Sequence, residues 1–209
     1  MKKDKLAWIT GLFVFLVLIS FYFDNEIVKG FSFIRTEFLN ELFLGINFLG
    51  SGIILLILLT VLFLFQKNKR EWILPSWFAI FSASIISLLL KITVQRPRPF
   101  HLDLVSALPI LVKSSYLSWD FSFPSAHTMI IFCAIPFLIK AAPKLKYLWV
   151  AFAFLIGFIR VYFGLHFLSD VLIGGLIGYI IGVVIIQVEE DNHFWEKIYN
   201  TIESKLTRK

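Results

Sequence analysis

Charge is scarce in this sequence: Asp, Glu, Lys and Arg make up 16% of its 209 residues, while 58% are hydrophobic. Soluble globular chains carry about 25% charged residues, so an ordinary water-facing surface is excluded. Cysteine is scarcer still. The single thiol, Cys133, rules out an internal disulfide, and its place in the apolar run CAIPFLI reads as a small buried hydrophobe. One cysteine leaves the redox compartment open. Low-complexity linkers and longer repeats are missing too, so residues 1–209 read as one domain.

What is present is a series of long apolar segments. Six of them approach the roughly 20 residues that a bilayer core requires, at 6–23, 42–65, 72–90, 123–138, 147–165 and 167–188. The expected fold is therefore an all-α integral membrane protein with six transmembrane helices. The first segment, LAWITGLFVFLVLISFYF after MKKDK, exceeds the roughly 7–15 apolar residues of a signal peptide and precedes no A-x-A-like site. It reads as a retained span.

The net charge is +6, but the basic residues punctuate apolar segments and build no face to lie along a duplex. A nucleic-acid partner is not expected. With the N-terminus inside, 13 Lys and Arg fall in inner segments and 7 in outer ones. The positive-inside rule then places both termini in the cytoplasm.

Two flanking segments have helical apolar spacing. Ile27, Phe31, Ile34, Phe38 and Leu42 mark one, and Trp195, Ile198, Ile202 and Leu206 the other. Each suits a short interfacial helix, with packing against the bundle an equal alternative for the first. Gly174, Gly178 and Gly182 recur every fourth residue in the last span, which lets helix backbones approach closely within the monomer.

Polar residues gather at three span ends, and the topology puts all three on the outer side. They are Lys91 to Pro99 (KITVQRPRP), Pro124 to His127 (PSAH) and Arg160 to Asp170 (RVYFGLHFLSD). Alone, each has a bland reading: snorkelling cations, helix-ending prolines, a Ser N-cap, an i,i+4 pair. Together they concentrate scarce ionisable groups at one depth, which marks a functional site.

The chemistry they suit is phosphoryl transfer. Lys91, Arg98 and Arg160 match phosphate oxygens. Ser125, with the backbone N–H groups of Ser125 and Ala126 at a helix start, offers an anion cradle. Asp170, one turn after His166, is expected to accept from one imidazole nitrogen and leave the other free to attack phosphorus. His127 is available to protonate the leaving oxygen. No acidic cluster stands nearby to cage a divalent metal, so neutralisation falls to the cations, and no cofactor is expected.

These residues resemble the signatures of the type 2 phosphatidic acid phosphatase superfamily, the lipid phosphate phosphatases. Lys91 to Pro99 fits K-x(6)-R-P, Pro124 to His127 nearly fits P-S-G-H, and Arg160 to Asp170 nearly fits S-R-x(5)-H-x(3)-D. Ala126 stands where the pattern has Gly, and Ile159 where it has Ser.

The resemblance implies a metal-independent phosphohistidine mechanism. In it His166 is the nucleophile, Asp170 its partner and His127 the general acid; Lys91, Arg98, Ser125, Ala126 and Arg160 bind phosphate. The implied substrate is a lipid phosphate, with polyprenyl diphosphate, phosphatidylglycerol phosphate and phosphatidic acid as candidates and the first preferred. The implied setting is the plasma membrane, with the site on the extracytoplasmic side. A phosphotransferase and a non-catalytic lipid-binding or transport protein are the alternatives. The segment from Pro99 to Phe123, with SALPILV and SSYLSW, is expected either to meet lipid headgroups at the interface or to form an ordinary surface loop.

Overall fold

The computed structural model describes residues 3–106, 108–112 and 121–207, and the described residues form helices and no strand. In chain order the helices are α1 (Lys3–Ser32), α2 (Glu37–Leu49), α3 (Gly52–Leu64), α4 (Ile73–Val94), α5 (Pro109–Val112), α6 (Ala126–Ala141), α7 (Lys146–Tyr162), α8 (Leu168–Asn192) and α9 (Phe194–Thr207). Short 3-10 turns cover Lys67–Trp72, Pro99–Leu102 and Pro143–Leu145. Residues 113–120, which carry the Trp119 part of the expected headgroup segment, lie outside the described residues.

Four stretches, Gly11–Ser32, Asn68–Leu102, Pro143–Tyr162 and Leu168–Asn192, are long and apolar enough to cross a membrane. The pair α2 and α3 makes a fifth if its 55° bend is counted within one span. α6, with 16 residues, is shorter and apolar, and nine of those residues are buried. Its sides meet protein rather than lipid. Around it, α1, α4 and α8 turn Leu12, Phe15, Leu18, Phe81, Ile85, Leu89, Ile180 and Val184 outward. Apolar surface on that scale is tolerated only in an apolar solvent, and the chain is an integral membrane protein.

Two elements differ from expectation. The amphipathic segment 24–43 is not one interfacial helix: residues 24–32 extend α1, and 37–43 open α2. Ile27, Val28 and Phe31 continue the periodicity of the first span and pack with Val105, Val161, Phe167 and Val171. The chain turns at Phe33–Arg35, and Thr36 caps α2 by accepting from Leu39 N at 3.2 Å. The expected second span is broken after Leu49, where Gly50 lies against Ile156. The bend carries α2 toward the end of the bundle that holds the polar motifs.

α9 follows the left-handed His193 (φ 51°). The buried Glu189 carboxylate accepts from the N–H groups of Trp195 and Glu196, at 2.9 and 2.8 Å. An acid at a helix start satisfies otherwise orphaned donors and opposes the helix dipole. Trp195 packs on Phe78 of α4, ring centroids 5.2 Å apart; the side chains of Ile202 and Leu206 lie outside the described residues.

The glycine stripe of α8 faces α6, within the chain. A methyl at Gly174 would sit 2.9 Å from the Ser125 carbonyl oxygen, and methyls at Gly178 and Gly182 would overlap the carbonyls of Met129 and Cys133. The two backbones touch once per turn. Gly178→Ala is therefore expected to destabilise the detergent-solubilised protein by about 1–3 kcal/mol, because backbone cannot yield as a side chain can. Gly45, which faces open space, supplies the control: Gly45→Ala should leave the unfolding midpoint unchanged or raise it.

Candidate active site

The site is assembled at one end of the bundle by breaks in helices. α4 ends on Gln95, whose left-handed backbone (φ 54°) lets its N–H reach the Lys91 carbonyl. Pro97 and Pro99 then bias the residues before them toward extended backbone, and Arg98 has φ −78° and ψ 155°. Arg96 and Arg98 both lie on this non-helical strip between α4 and the turn at Pro99–Leu102. α7 ends at Tyr162, and Gly164 (φ +67°) turns the chain so that the N–H groups of Leu165 and His166 close on the Arg160 carbonyl at 3.2 and 3.3 Å. That turn is why five residues separate Arg160 from His166.

Lys91, Arg98, Arg160, Ser125, His166 and Asp170 are all buried, whereas His127 is half-buried. The charges of Arg160, Arg98 and Lys91 act on both histidines. The three motifs, up to 79 residues apart between Lys91 and Asp170, therefore form one cluster.

His166 donates from Nδ1 to the Ser122 carbonyl at 2.7 Å. A carbonyl only accepts, so the proton sits on Nδ1 and Nε2 keeps its lone pair. Nε2 lies 3.5 Å from Arg98 Nη1, which also donates to the Leu165 carbonyl at 3.1 Å. Burial, and then the charges of Arg98, Lys91 and Arg160, hold the His166 pKa well below the ordinary imidazole range, opposed only by the Ser122 bond. The ring is neutral at neutral pH, as a nucleophile requires.

Asp170 stands differently from expectation. Its Oδ2 is 3.8 Å from His166 Nδ1, too far for a hydrogen bond. It accepts instead from Ser122 Oγ (2.5 Å), Phe167 N (2.9 Å) and Arg96 Nη1 (2.7 Å). Asp170 reaches His166 through Ser122, which bonds the carboxylate by its hydroxyl and the imidazole by its carbonyl.

The anion cradle is also altered. The Ser125 N–H donates to the Asp170 carbonyl at 3.1 Å and is spoken for. Ser125 Oγ pairs with Thr128 Oγ1 at 2.9 Å. Ala126 opens α6 and His127 follows it, so both sit at the positive end of the helix dipole. Positive φ among the described non-glycine residues is confined to Gln95, Asp103 and His193, so Ala126 carries no left-handed strain. Ile159 is fully buried with Tyr162, Phe163 and Leu165; an apolar residue suits that position better than a serine would.

Several contributors went unread in the sequence. Arg96, two residues before Arg98, binds Asp170, Ser169 and Asp24. Ser122 stands two residues before the PSAH motif. Asn47 of α2 accepts from Arg160 Nη1 at 2.9 Å, and Asn40, two turns earlier, accepts from Tyr162 Oη at 2.9 Å. Arg35 donates to the carbonyls of Tyr162 and Ser106 at 2.8 and 2.6 Å. Only side chains brought from distant segments reveal these roles. Lys91 Nζ donates to the Phe121 carbonyl. Among the described residues no three His, Cys, Asp or Glu side chains gather as metal ligands.

Known proteins resemble this chain. Phosphatidylglycerophosphatase B of Bacillus subtilis is 32% identical over 170 residues, which cover 74% of this chain and 77% of that protein. Undecaprenyl-diphosphatase of Sulfolobus acidocaldarius is 27% identical over 173 residues, 80% of this chain and 79% of its own. The crystal structure of a transmembrane PAP2-type phosphatidylglycerolphosphate phosphatase from Bacillus subtilis superposes with a TM-score of 0.69 at 27% identity, covering 88% of this chain and 96% of that one. The family model described as the PAP2 superfamily matches residues 72–194, the stretch that holds all three motifs. The chain belongs to the PAP2 superfamily.

Proposed function

We propose that this protein hydrolyses a phosphate or diphosphate ester of a membrane lipid through a phosphohistidine intermediate. The observation that carries the reading is the His166 ring: Nδ1 is held as a donor by Ser122, and Nε2 points at a guanidinium that can hold phosphate beside it.

Nε2 attacks phosphorus, the bond to the leaving oxygen breaks, and His127 gives that oxygen its proton. Water then attacks the phosphohistidine, His127 takes a proton from it, and inorganic phosphate leaves with His166 restored. Lys91, Arg98 and Arg160 offset the charge on the equatorial oxygens, aided by Ser125 and by the Ala126 N–H at the start of α6. Neutralisation by three fixed cations makes a divalent metal unnecessary.

The lipid substrate follows from the apolar exterior that surrounds the site and from the relatives, one named for a phosphatidylglycerol phosphate and one for undecaprenyl diphosphate. We favour a polyprenyl diphosphate. In six spans, α2 with α3 makes one crossing and α6 a short one. The end opposite the site carries Lys69, Arg70, Lys140, Lys144 and Lys146, which suits a cytoplasmic face and leaves the catalytic end outside the plasma membrane.

The test is phosphate release by the purified protein in detergent, with EDTA present, from a panel of lipid monophosphates and diphosphates. Release that survives EDTA and is fastest from a polyprenyl diphosphate is the expected result. Dependence on added metal would refute the role given to the cations, and a phosphorylated acceptor in place of free phosphate would refute hydrolysis.

A further inference from the structure

We infer that Asp24, in the first helix, is a positioning residue for the nucleophile, acting through Arg96 and Asp170. The inference rests on the reading of His166 as the nucleophile. It adds to the site a residue that lies 48 positions before the matched stretch, residues 72–194, begins.

Asp24 is a carboxylate within the apolar helix α1, and it is 2% exposed. A buried charge of this kind is costly unless paired and hydrogen-bonded, and Asp24 is fully engaged. Its Oδ2 accepts from Arg96 Nη2 at 2.8 Å and from Ser169 Oγ at 2.5 Å, and its Oδ1 accepts from Ser169 N at 3.1 Å. The other guanidinium nitrogen, Nη1, donates to Asp170 Oδ1 and to Ser169 Oγ, both at 2.7 Å. One planar cation thus spans two carboxylates. Phe167 lies against it, the guanidinium carbon 4.0 Å from the ring centroid, and Phe21 of α1 at 5.4 Å.

The chain of contacts continues to the reacting atom. Asp170 takes the Ser122 hydroxyl, and the Ser122 carbonyl takes His166 Nδ1. The Ser122 N–H donates in turn to the Arg96 carbonyl at 2.7 Å. Arg96 therefore fixes Ser122 twice, by its backbone and through Asp170. With Asp24 in place the guanidinium is shared between two acceptors. Without it, Nη2 loses its anion and Arg96 is free to tilt about Asp170, carrying Ser122 and the imidazole with it. Lysine could not replace Arg96, because a single ammonium lacks the fork that reaches both carboxylates.

The experiment compares wild type, Asp24→Asn, Arg96→Lys, the double variant and His166→Ala as full-length protein in detergent. Phosphate release from one lipid phosphate is measured alongside thermal unfolding. Asp24→Asn is expected to lower kcat about tenfold or more with KM within about twofold, at an unfolding midpoint near wild type. Arg96→Lys should do the same, and adding Asp24→Asn to it should cause no further loss, since the path is already cut. Wild-type kcat in Asp24→Asn, a loss that only tracks the folded fraction, or multiplicative losses in the double variant would each overturn the inference. If Asp24→Asn does not fold, Ser169→Ala removes one of the two links between Asp24 and Arg96, and wild-type kcat there would overturn it equally. An active His166→Ala would instead refute the catalytic reading beneath it.

Discussion

On the proposed mechanism, His166→Ala protein is expected to release phosphate at about a thousandth of the wild-type rate or less, because the ring nitrogen that forms the phosphorus–nitrogen bond is removed. Loss of activity alone would not separate chemistry from folding, since His166 is 1% exposed and anchors the Ser122 carbonyl. His166→Asn resolves this. An asparagine amide can donate to the same carbonyl, so that the surrounding turn is retained while the ring nitrogen is lost. Both variants should be inactive, and the Asn form should unfold near the wild-type temperature. Wild type incubated with a lipid phosphate radiolabelled in the transferred phosphoryl group and quenched in alkaline detergent should carry alkali-stable, acid-labile label that neither variant carries. Substantial turnover by the Asn variant would mean that the nucleophile is elsewhere.

The second large effect is expected at His127, and its size should depend on the leaving group. Proton donation contributes roughly 10²–10⁴-fold when the departing oxygen is strongly basic. A lipid monophosphate expels an alkoxide and needs that proton. A lipid diphosphate expels a phosphate ester, and p-nitrophenyl phosphate a phenolate, and both depart with less help. His127→Ala should therefore lose most activity on the monophosphate and much less on the diphosphate and the aryl phosphate. The partial exposure of His127, beside a deeply buried His166, suits a group that meets the outgoing part of the substrate. Equal losses on all three substrates would show that His127 binds phosphate rather than moving a proton.

The three polar motifs were legible because each is short and each sits where an apolar run stops. Lys91 with Arg98, Ser125 with His127, and Arg160, His166 and Asp170 needed only local spacing and the rule that ionisable groups are rare in membranes. Their wiring was not legible. The i,i+4 spacing of His166 and Asp170 suggested a direct bond, yet His166 precedes α8 in a turn while Asp170 is within it. The helical geometry that the spacing assumed does not apply to the pair. Asp24, Asn40 and Asn47 carry no local spacing signal, because their partners lie 72 to 145 residues away. Helix length misled in a related way. Asp24, Asn25 and Glu26 read as the end of the first span, but with the Asp24 carboxylate satisfied the helix continues to Ser32. The bend after Leu49 falls where Gly50 closely approaches Ile156, a contact that the glycine alone does not announce.

The glycine-mediated seam between α6 and α8 has a mechanical consequence. His127 rides on the first turn of α6, Asp170 on the first turn of α8, and the Ser125 N–H is bonded to the Asp170 carbonyl across the seam. A sliding step of one helix past the other would have to lift each glycine over a carbonyl, so the pair behaves as a single strut. The separation of His127 from Asp170 is then a constant of the framework, whatever lipid is being handled. Tolerance for bulkier or smaller headgroups must reside in the parts that bear on the strut from outside, among them the hinged pair α2 and α3 and the first helix.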